Sequence, residues 1–276
     1  MQCMEFILHN GKIIRESEFN PGHFWWNNAL QIKPELWFAH GEIPHFQEQM
    51  EKLDEMLSAL QWPNPPVLKD RQELLRLIKR LINKNKAFMG GWVSCRFVFP
   101  GDTLHWVISV KPYPDRLFPL DPNGKTGVIS PFAKPSGSPL NAYAFFSEPL
   151  WMAERVRSPQ TLGIFVNDKG LTTEADYANL FFIRGDVLTT PAPDTGAVID
   201  IMRDYVLRAA AGKGFRIRES AVSPEELTGA EEIFAVSEGS GFRWLMGIGG
   251  KRYMKTATEL IWRQVNISCF SLKNIP

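Results

Sequence analysis

The sequence predicts an α+β protein of two domains, and three observations support this class. Two stretches in the first half repeat apolar residues at helical spacing, and the segments around them have the pattern of short paired strands. A stretch rich in proline and glycine, from Pro112 to Pro139, separates them from a second run of strands and helices. We therefore expect a small α+β domain over residues 1–125 and a large α/β-type domain over residues 126–276, with a ligand cleft between them.

The composition is that of an ordinary globular protein with no strong overall charge. Of its 276 residues, 44% are hydrophobic and 22% are charged, and the formal net charge is +1. This balance gives no reason to expect nucleic acid or an anionic membrane as a partner, so a small molecule or a protein is expected. The three cysteines Cys3, Cys95 and Cys269 lie far apart and lack metal-ligand spacing. With no secretory pattern at the N-terminus, we expect a cytoplasmic protein without a bound metal or a membrane span.

The first domain is predicted to begin with a hairpin and to continue with two helices and two more strands. Residues 1–16 have the pattern of a strand, an Asn-Gly turn and a second strand. Apolar residues recur at helical spacing in "IPHFQEQMEKLDEMLSALQ" and in "DRQELLRLIKRLINKNK", which predicts two amphipathic helices. Two strands are then predicted over "WVSCRFVF" and "LHWVISVKPYP", joined by the turn "PGDT".

The second domain is predicted to mix strands with helices around one further hairpin. A short strand near Gly127 to Ser130 precedes a helix from about Tyr143 to Val156 and the strand "TLGIFVND". Glu174 lies in a turn just ahead of the hairpin, which pairs Asn179 to Ile183 with Val187 to Thr190. The remaining elements are a helix over "IDIMRDYVLRAAAGKG", a strand over "FRIRESAV" and a helix-strand unit over "SPEELTGAEEIFAVSEG".

The order of segments from Leu162 to Gly247 resembles one known family. The stretch "GLTTEADYANLFFIRGDVLTTPAPDTGAVIDIMRDYV", followed by "SPEELTGAEEIFAVSEGS", is similar to the class IV aminotransferases. These are the pyridoxal-phosphate (PLP) enzymes of fold type IV, which include branched-chain and D-amino-acid transaminases and aminodeoxychorismate lyase. The resemblance implies the two-domain fold-type-IV (D-amino-acid aminotransferase-like) architecture, PLP as cofactor, a small-molecule substrate and a homodimer.

The resemblance gives a role to Glu174. In the family a Gly-x-x-Thr-Glu turn precedes an Asn-Leu-Phe strand, and its glutamate faces the pyridine nitrogen of PLP. A carboxylate there keeps the ring nitrogen protonated, so that the ring can accept electrons. Without the flanking pattern, a glutamate in such a turn is most often a solvated surface residue. Tyr143 falls where some members place a tyrosine near the phenolic oxygen of the cofactor, and its alternative is a buried helix tyrosine.

The Schiff-base lysine of the family has no counterpart at the matching position. In "SPLNAYAFFSEPLWMAE", Asn141 and Tyr143 align with the family pattern and Ser138 stands where the lysine is expected. Serine cannot form a Schiff base. The nearest upstream lysine is Lys134, which is either a displaced catalytic lysine or a solvated loop lysine.

The phosphate-binding helix start of the family is kept only in part. Ile201, Met202 and Arg203 match a motif whose backbone N–H groups bind the phosphate, and a helix N-terminus favours anions. Arg203 is either part of this motif or an exposed helix arginine. The preceding glycine is replaced by Asp200, which as a capping residue would occupy the amides that the phosphate needs.

Two further phosphate contacts are also replaced. The family arginine falls on Leu30, and the threonine of a later Gly-Thr turn falls on Glu238, next to Ser237. Two unit charges at roughly 4 Å interact by about 4 kcal/mol at an effective dielectric constant of about 20, enough to remove micromolar affinity.

Two functions stay open: a transaminase or lyase that uses Lys134, Glu174 and Tyr143, or a pseudoenzyme. The latter would be a non-catalytic or PLP-independent relative that binds another small ligand or a protein partner in the same cleft.

Overall fold

The protein divides into two compact units, residues 1–117 and residues 118–276. The computed structural model describes residues 5–19, 30–62, 64, 66–99, 104–158 and 160–270. The expected turn "PGDT" and Cys3 lie outside the described residues.

The first unit contains a six-stranded sheet. Its strands are β1 (Phe6–His9), β2 (Lys12–Arg15), β3 (Leu30–Ile32), β4 (Glu35–Ala39), β5 (Gly90–Phe99) and β6 (His105–Tyr113). The order is β2-β1-β6-β5-β3, and β4 also pairs with β5. The predicted first hairpin is confirmed. Its turn residues Asn10 and Gly11 have φ values of 45° and 88°, as a two-residue hairpin turn requires.

Within the described ranges, three α-helices belong to this unit. They are α1 (Phe46–Ala59), α2 (Pro66–Lys69) and α3 (Arg71–Lys84). Both predicted amphipathic helices are therefore confirmed, and α1 buries the predicted apolar positions Met50, Leu53 and Leu57. Helix α3 begins after Asp70, whose side chain accepts a hydrogen bond from the Glu73 amide at 2.9 Å.

The second unit contains a nine-stranded mixed sheet. Its strands are β7 (Lys125–Lys134), β8 (Thr161–Asn167), β9 (Thr172–Ala175), β10 (Ala178–Arg184), β11 (Val187–Pro191), β12 (Arg216–Ser220), β13 (Glu232–Ser237), β14 (Gly241–Ile248) and β15 (Lys251–Arg252). The main order is β12-β11-β10-β13-β14-β7-β8-β9. Because β9 also pairs with β10, the six strands from β10 through β13, β14, β7 and β8 to β9 close into a barrel.

The structure corrects two details of the sequence prediction. The strand expected near Gly127 to Ser130 is longer and ends at Lys134, so this lysine is in a strand and not in a loop. Glu174 is the third residue of β9 and not a turn residue. The hairpin that follows is confirmed, with Gly185 and Asp186 between β10 and β11.

In the described part of the second unit, four α-helices accompany this sheet. They are α4 (Ala144–Arg157), α5 (Met202–Gly212), α6 (Pro224–Thr228) and α7 (Thr256–Phe270). Helix α4 confirms the helix predicted from about Tyr143, whereas α7 was not predicted. Among the described residues, no helix is long and apolar enough to cross a membrane.

Helix α7 is held to the sheet by Glu232, the first residue of β13. The Glu232 side chain is 4% exposed. Its Oε1 accepts from the Ala257 amide, and its Oε2 accepts from the amide and hydroxyl of Thr258, each at 2.8 Å. A carboxylate at a helix N-terminus also interacts favourably with the helix dipole.

We expect Glu232→Ala to lower the free energy of unfolding by about 2–3 kcal/mol, because buried donors at the start of α7 lose their acceptor. Denaturant unfolding followed by circular dichroism measures this change. The control is Glu259→Ala, which removes a partly exposed ion pair between α7 and Lys255, the residue just before it, and should leave the stability nearly unchanged. Equal stability of the two variants would contradict the capping role of Glu232.

Cys95 provides a test of the core of the first unit. It is buried in β5, and burial raises the pKa of its thiol to about 12. The reactive thiolate is therefore nearly absent at neutral pH, and a thiol reagent should label Cys95 only after unfolding. Native wild-type protein and a native Cys95→Ser variant, both labelled at pH 7.5, should therefore show the same number of reacted thiols.

Candidate functional site

A lysine and a glutamate meet inside the second unit. Lys134 is the last residue of β7 and Glu174 lies in β9, and both strands belong to the closed barrel. The side chains of Lys134 and Glu174 are 1% and 0% exposed, and Nζ lies 2.5 Å from Oε2. The alternative of a solvated loop lysine is therefore wrong for Lys134. Lys134, the lysine nearest upstream of Ser138, is therefore in direct contact with Glu174, the glutamate of the family motif.

The amine of Lys134 has a full set of acceptors. Besides Glu174, its Nζ donates to the Ser147 hydroxyl at 3.1 Å and to the Asn141 carbonyl at 3.3 Å. A lysine ammonium has three N–H donors, and three acceptors match that number. The folded chain therefore surrounds the Lys134 amine with hydrogen-bond acceptors.

The carboxylate of Glu174 is satisfied at one oxygen only. Its Oε2 also accepts from the Val198 amide at 3.2 Å. The other oxygen, Oε1, is buried and has no hydrogen-bond partner among the described residues, and the same is true of Asn141 Oδ1. Buried polar atoms in folded proteins are nearly always paired, so these two acceptors indicate a place for an additional donor.

Asp200 binds the backbone at the start of α5. One of its carboxylate oxygens, Oδ1, accepts from the Met202 amide at 2.9 Å and from the Glu238 amide at 3.0 Å. The Asp200 backbone is held in turn by Asn179, whose side-chain oxygen accepts from the Asp200 amide at 3.1 Å. A carboxylate of the protein itself thus occupies amides at the two positions that the family resemblance assigns to phosphate binding.

Arg203 is engaged away from those amides. It is 3% exposed. Its guanidinium donates to Thr190 Oγ1 at 2.9 Å, to the Pro191 carbonyl at 2.8 Å and to Glu219 at 2.7 Å. The alternative of an exposed helix arginine is wrong, because Arg203 is a buried residue that ties α5 to β11 and β12. Its neighbour Ile201 directly precedes the first residue of α5.

The other predicted positions have local roles. Ser138 Oγ accepts from the Leu140 amide at 3.3 Å and caps a short 3-10 turn over Pro139–Ala142. Tyr143 is half-buried and precedes α4. Leu30 lies in β3 of the first unit. Ser237 Oγ lies 2.6 Å from Ser240 Oγ in the turn after β13.

Sequence reasoning missed two groups that complete the site. Ser147 is a buried residue of α4 between Phe146 and Glu148, and nothing in the sequence pattern distinguishes it. Val198 contributes a backbone amide, which no side-chain pattern can reveal. Within the described ranges, no group of three or more His, Cys, Asp or Glu side chains is placed to hold a metal ion.

The architecture and the Lys134–Glu174 pair define the class of protein. The fold is that of the fold-type-IV aminotransferases. The model superimposes on Escherichia coli branched-chain amino acid aminotransferase with a TM-score of 0.79 at 19% identity, covering 95% of this chain and 93% of that one. The PLP form of the Thermobaculum terrenum branched-chain enzyme gives 0.82 at 16% identity, covering 98% and 95%. The predicted fold class is confirmed.

The chain belongs to the class IV aminotransferase family. The family profile described as "Amino-transferase class IV" matches residues 36–244. The branched-chain-amino-acid aminotransferase of Salmonella typhimurium is 27% identical over 201 residues, 68% of this chain and 65% of the relative. Bacillus subtilis aminodeoxychorismate lyase is 23% identical over 179 residues, 59% of this chain and 60% of the relative. The chain therefore covers less than two thirds of the length of these relatives.

The residues present do not fit PLP at its phosphate end. The ring end offers a lysine and a glutamate, and the buried Glu174 Oε1 has no hydrogen-bond partner among the described residues. At the other end the Met202 and Glu238 amides already bind Asp200, and a negative side chain there repels a phosphate dianion. Arg203, the arginine nearest in sequence to Asp200, is already paired with Glu219.

The Lys134–Glu174 contact predicts strong coupling between the two residues. Lys134→Met should lower the free energy of unfolding of the second unit by about 3–5 kcal/mol, because it leaves the Glu174 charge buried without a partner. The double variant Lys134→Met/Glu174→Gln should lose less than the two single variants together. Denaturant unfolding of all three variants measures the coupling.

The control for this cycle is Arg216→Met, which removes an exposed ion pair with Asp186 in the same unit and should change the stability little. Strict additivity of the Lys134 and Glu174 effects would contradict the ion pair.

Proposed function

We propose that this chain is a class IV relative that works without PLP and binds a small, unphosphorylated molecule beside Lys134 and Glu174. The observation that carries the proposal is the double hydrogen bond of Asp200 Oδ1 to the Met202 and Glu238 amides. The fold indicates where a ligand binds, but the residues of the site decide its chemistry.

Asp200 acts against phosphate in two ways. Its carboxylate already accepts from the Met202 and Glu238 amides, so a phosphate would have to displace that carboxylate in order to bind them. It also adds negative charge: a unit pair at roughly 4 Å contributes about 4 kcal/mol of repulsion at an effective dielectric constant of about 20. Glu238, whose side chain is 1% exposed, adds a second acidic group at the same turn.

The state of Lys134 supports the same conclusion. All three donors of its ammonium have acceptors in the folded chain. To react with an aldehyde, the amine would have to give up its contact with Glu174.

A second function is favoured by one specific observation. Lys134 lies against the glutamate to which the family assigns the cofactor ring, so PLP-dependent transaminase or lyase chemistry through Lys134 is the alternative. The relatives named above are branched-chain aminotransferases and an aminodeoxychorismate lyase. In this alternative Lys134 binds the cofactor, Glu174 acts on the ring nitrogen and Tyr143 assists.

PLP titration of purified protein distinguishes the two functions. We expect the wild-type protein to show no stoichiometric visible absorption from a cofactor–lysine adduct, and borohydride treatment should leave Lys134 unmodified by mass spectrometry. Asp200→Gly combined with Glu238→Thr should raise PLP affinity at least about tenfold, because the amides become available and two negative charges are removed.

The matched control is Asp194→Gly, which removes an exposed acid in the same connecting segment and should not change PLP affinity. Tight binding of PLP by the wild-type protein, with Lys134 modified after reduction, would overturn the proposal in favour of the alternative.

A further inference from the structure

We infer that a groove in the first unit binds a small organic dianion of the phosphate-monoester type. The groove lies between the β1–β2 hairpin and the C-terminal half of α3, and its volume is about 450 Å³. This volume is within the range of small-molecule sites. The inference concerns a different unit from the Lys134–Glu174 site and does not depend on the proposed function.

The lining of the groove carries positive charge and no negative charge. Of its seven lining residues, three are cations and none is acidic. Lys12 and Ile13 come from the hairpin, and Leu77, Arg80, Asn83 and Lys84 come from α3. The three cations are exposed, whereas Ile13 and Leu77 are half-buried and supply apolar surface. The lining therefore matches a ligand that joins an anionic group to an apolar part.

The two cations of α3 that line the groove differ from the other cations of this helix. Each of the others is paired with a carboxylate: Arg71 with Asp54, Arg76 with Glu73 and Lys79 with Glu42. Among the described residues, Arg80 and Lys84 form no ion pair, and neither does Lys12 of the hairpin. All three cations without an ion pair thus lie around one concave surface.

The neighbours of these cations do not neutralise them. Glu73 interacts electrostatically with Arg80, but Arg76 already binds both oxygens of Glu73 at 2.7 and 2.8 Å. The Lys84 ammonium lies 4.1 Å from the centre of the Phe6 ring, a contact that adds no negative charge. Like charges around one groove repel each other, and a bound anion relieves this repulsion.

The two walls of the groove are held together by Asn85, the residue after α3. Its side-chain oxygen accepts from the Glu5 and Phe6 amides at 3.1 Å, and its side-chain nitrogen donates to the Phe6 carbonyl at 2.9 Å. The hairpin is also fixed to β6 by Asn10, whose side-chain oxygen accepts from the Trp106 amide at 2.9 Å. The groove is therefore formed before a ligand binds, which lowers the cost of binding.

The charges and the shape of the groove together select the ligand. A guanidinium binds phosphate or carboxylate oxygens through two parallel hydrogen bonds, and each lysine adds a further positive charge. Three cations favour a dianion over a monoanion because the attraction grows with the charge of the ligand. A concave surface of this volume suits a small molecule better than a flat membrane surface.

Three probes with the same aromatic ring separate charge from shape. At neutral pH phenyl phosphate is mainly a dianion, benzoate is a monoanion and phenol is neutral. Isothermal titration calorimetry of the full chain at low ionic strength should show saturable binding of phenyl phosphate. Its affinity should be at least about tenfold higher than that of benzoate or phenol, and it should fall when salt is added.

Two variants test the two walls of the groove separately. Arg80→Gln removes a charge from α3, and Lys12→Gln removes one from the hairpin. Each should weaken phenyl phosphate binding about tenfold, because a charge-assisted hydrogen bond to the phosphate is lost. Both side chains are exposed, so these substitutions should leave the fold intact.

The matched control is Lys79→Gln, which removes the same charge from the neighbouring position of α3, outside the groove lining. Lys79 is paired with Glu42 at 2.9 Å. Because its charge is already balanced, its loss should change the affinity for phenyl phosphate by less than about twofold.

Sedimentation with lipid vesicles distinguishes a soluble ligand from a lipid surface. The protein should sediment neither with phosphatidylcholine vesicles nor with vesicles that also contain phosphatidylserine. Sedimentation with the acidic vesicles would overturn the inference of a soluble ligand. It would also be overturned by the absence of saturable phenyl phosphate binding, by equal affinities for phenyl phosphate and benzoate, or by affinities that fall no more in Arg80→Gln and Lys12→Gln than in the control.

Discussion

The contact between Lys134 and Glu174 is the interaction on which the second unit depends. Both charges are removed from water, and neither can be left alone without a large loss of stability. The pair fixes the end of β7 against β9, and the same glutamate holds the Val198 amide in the segment before α5. Closure of the barrel is what makes this possible, because β9 pairs with both β8 and β10 and so encloses the two side chains.

Asp200 supplies a hydrogen-bond acceptor to backbone amides at the start of α5 and after β13. Amides at the start of a helix need an acceptor, since they have no partner within the helix. Here one oxygen of Asp200 accepts from Met202 and also from Glu238, which joins α5 to the turn after β13. Both amides therefore have an acceptor within the chain itself.

Family membership and the chemistry of the site rest on different observations in this protein. The match over residues 36–244 and the similarity to branched-chain aminotransferases establish the fold and the family. The buried acceptors on Glu174 and Asn141 are features of the site that family membership does not describe. Since a fold supports many chemistries, the charges and hydrogen bonds of the site carry the functional argument.

The sequence by itself determined the features that depend on neighbouring residues. The first hairpin, α1, α3 and the hairpin after Glu174 follow from local periodicity and turn chemistry, and the Glu174 motif was sufficient to indicate the family. Helix α7 was missed because its start is capped by Glu232, which lies in β13 and far from it in sequence. Tertiary structure alone decided the role of Lys134. The pairing of β7 with β8 extends the strand to that residue, and its side chain then enters the barrel. Tertiary structure also decided the hydrogen bond that the Glu238 amide donates to Asp200, since contacts between distant residues depend on the path of the folded chain.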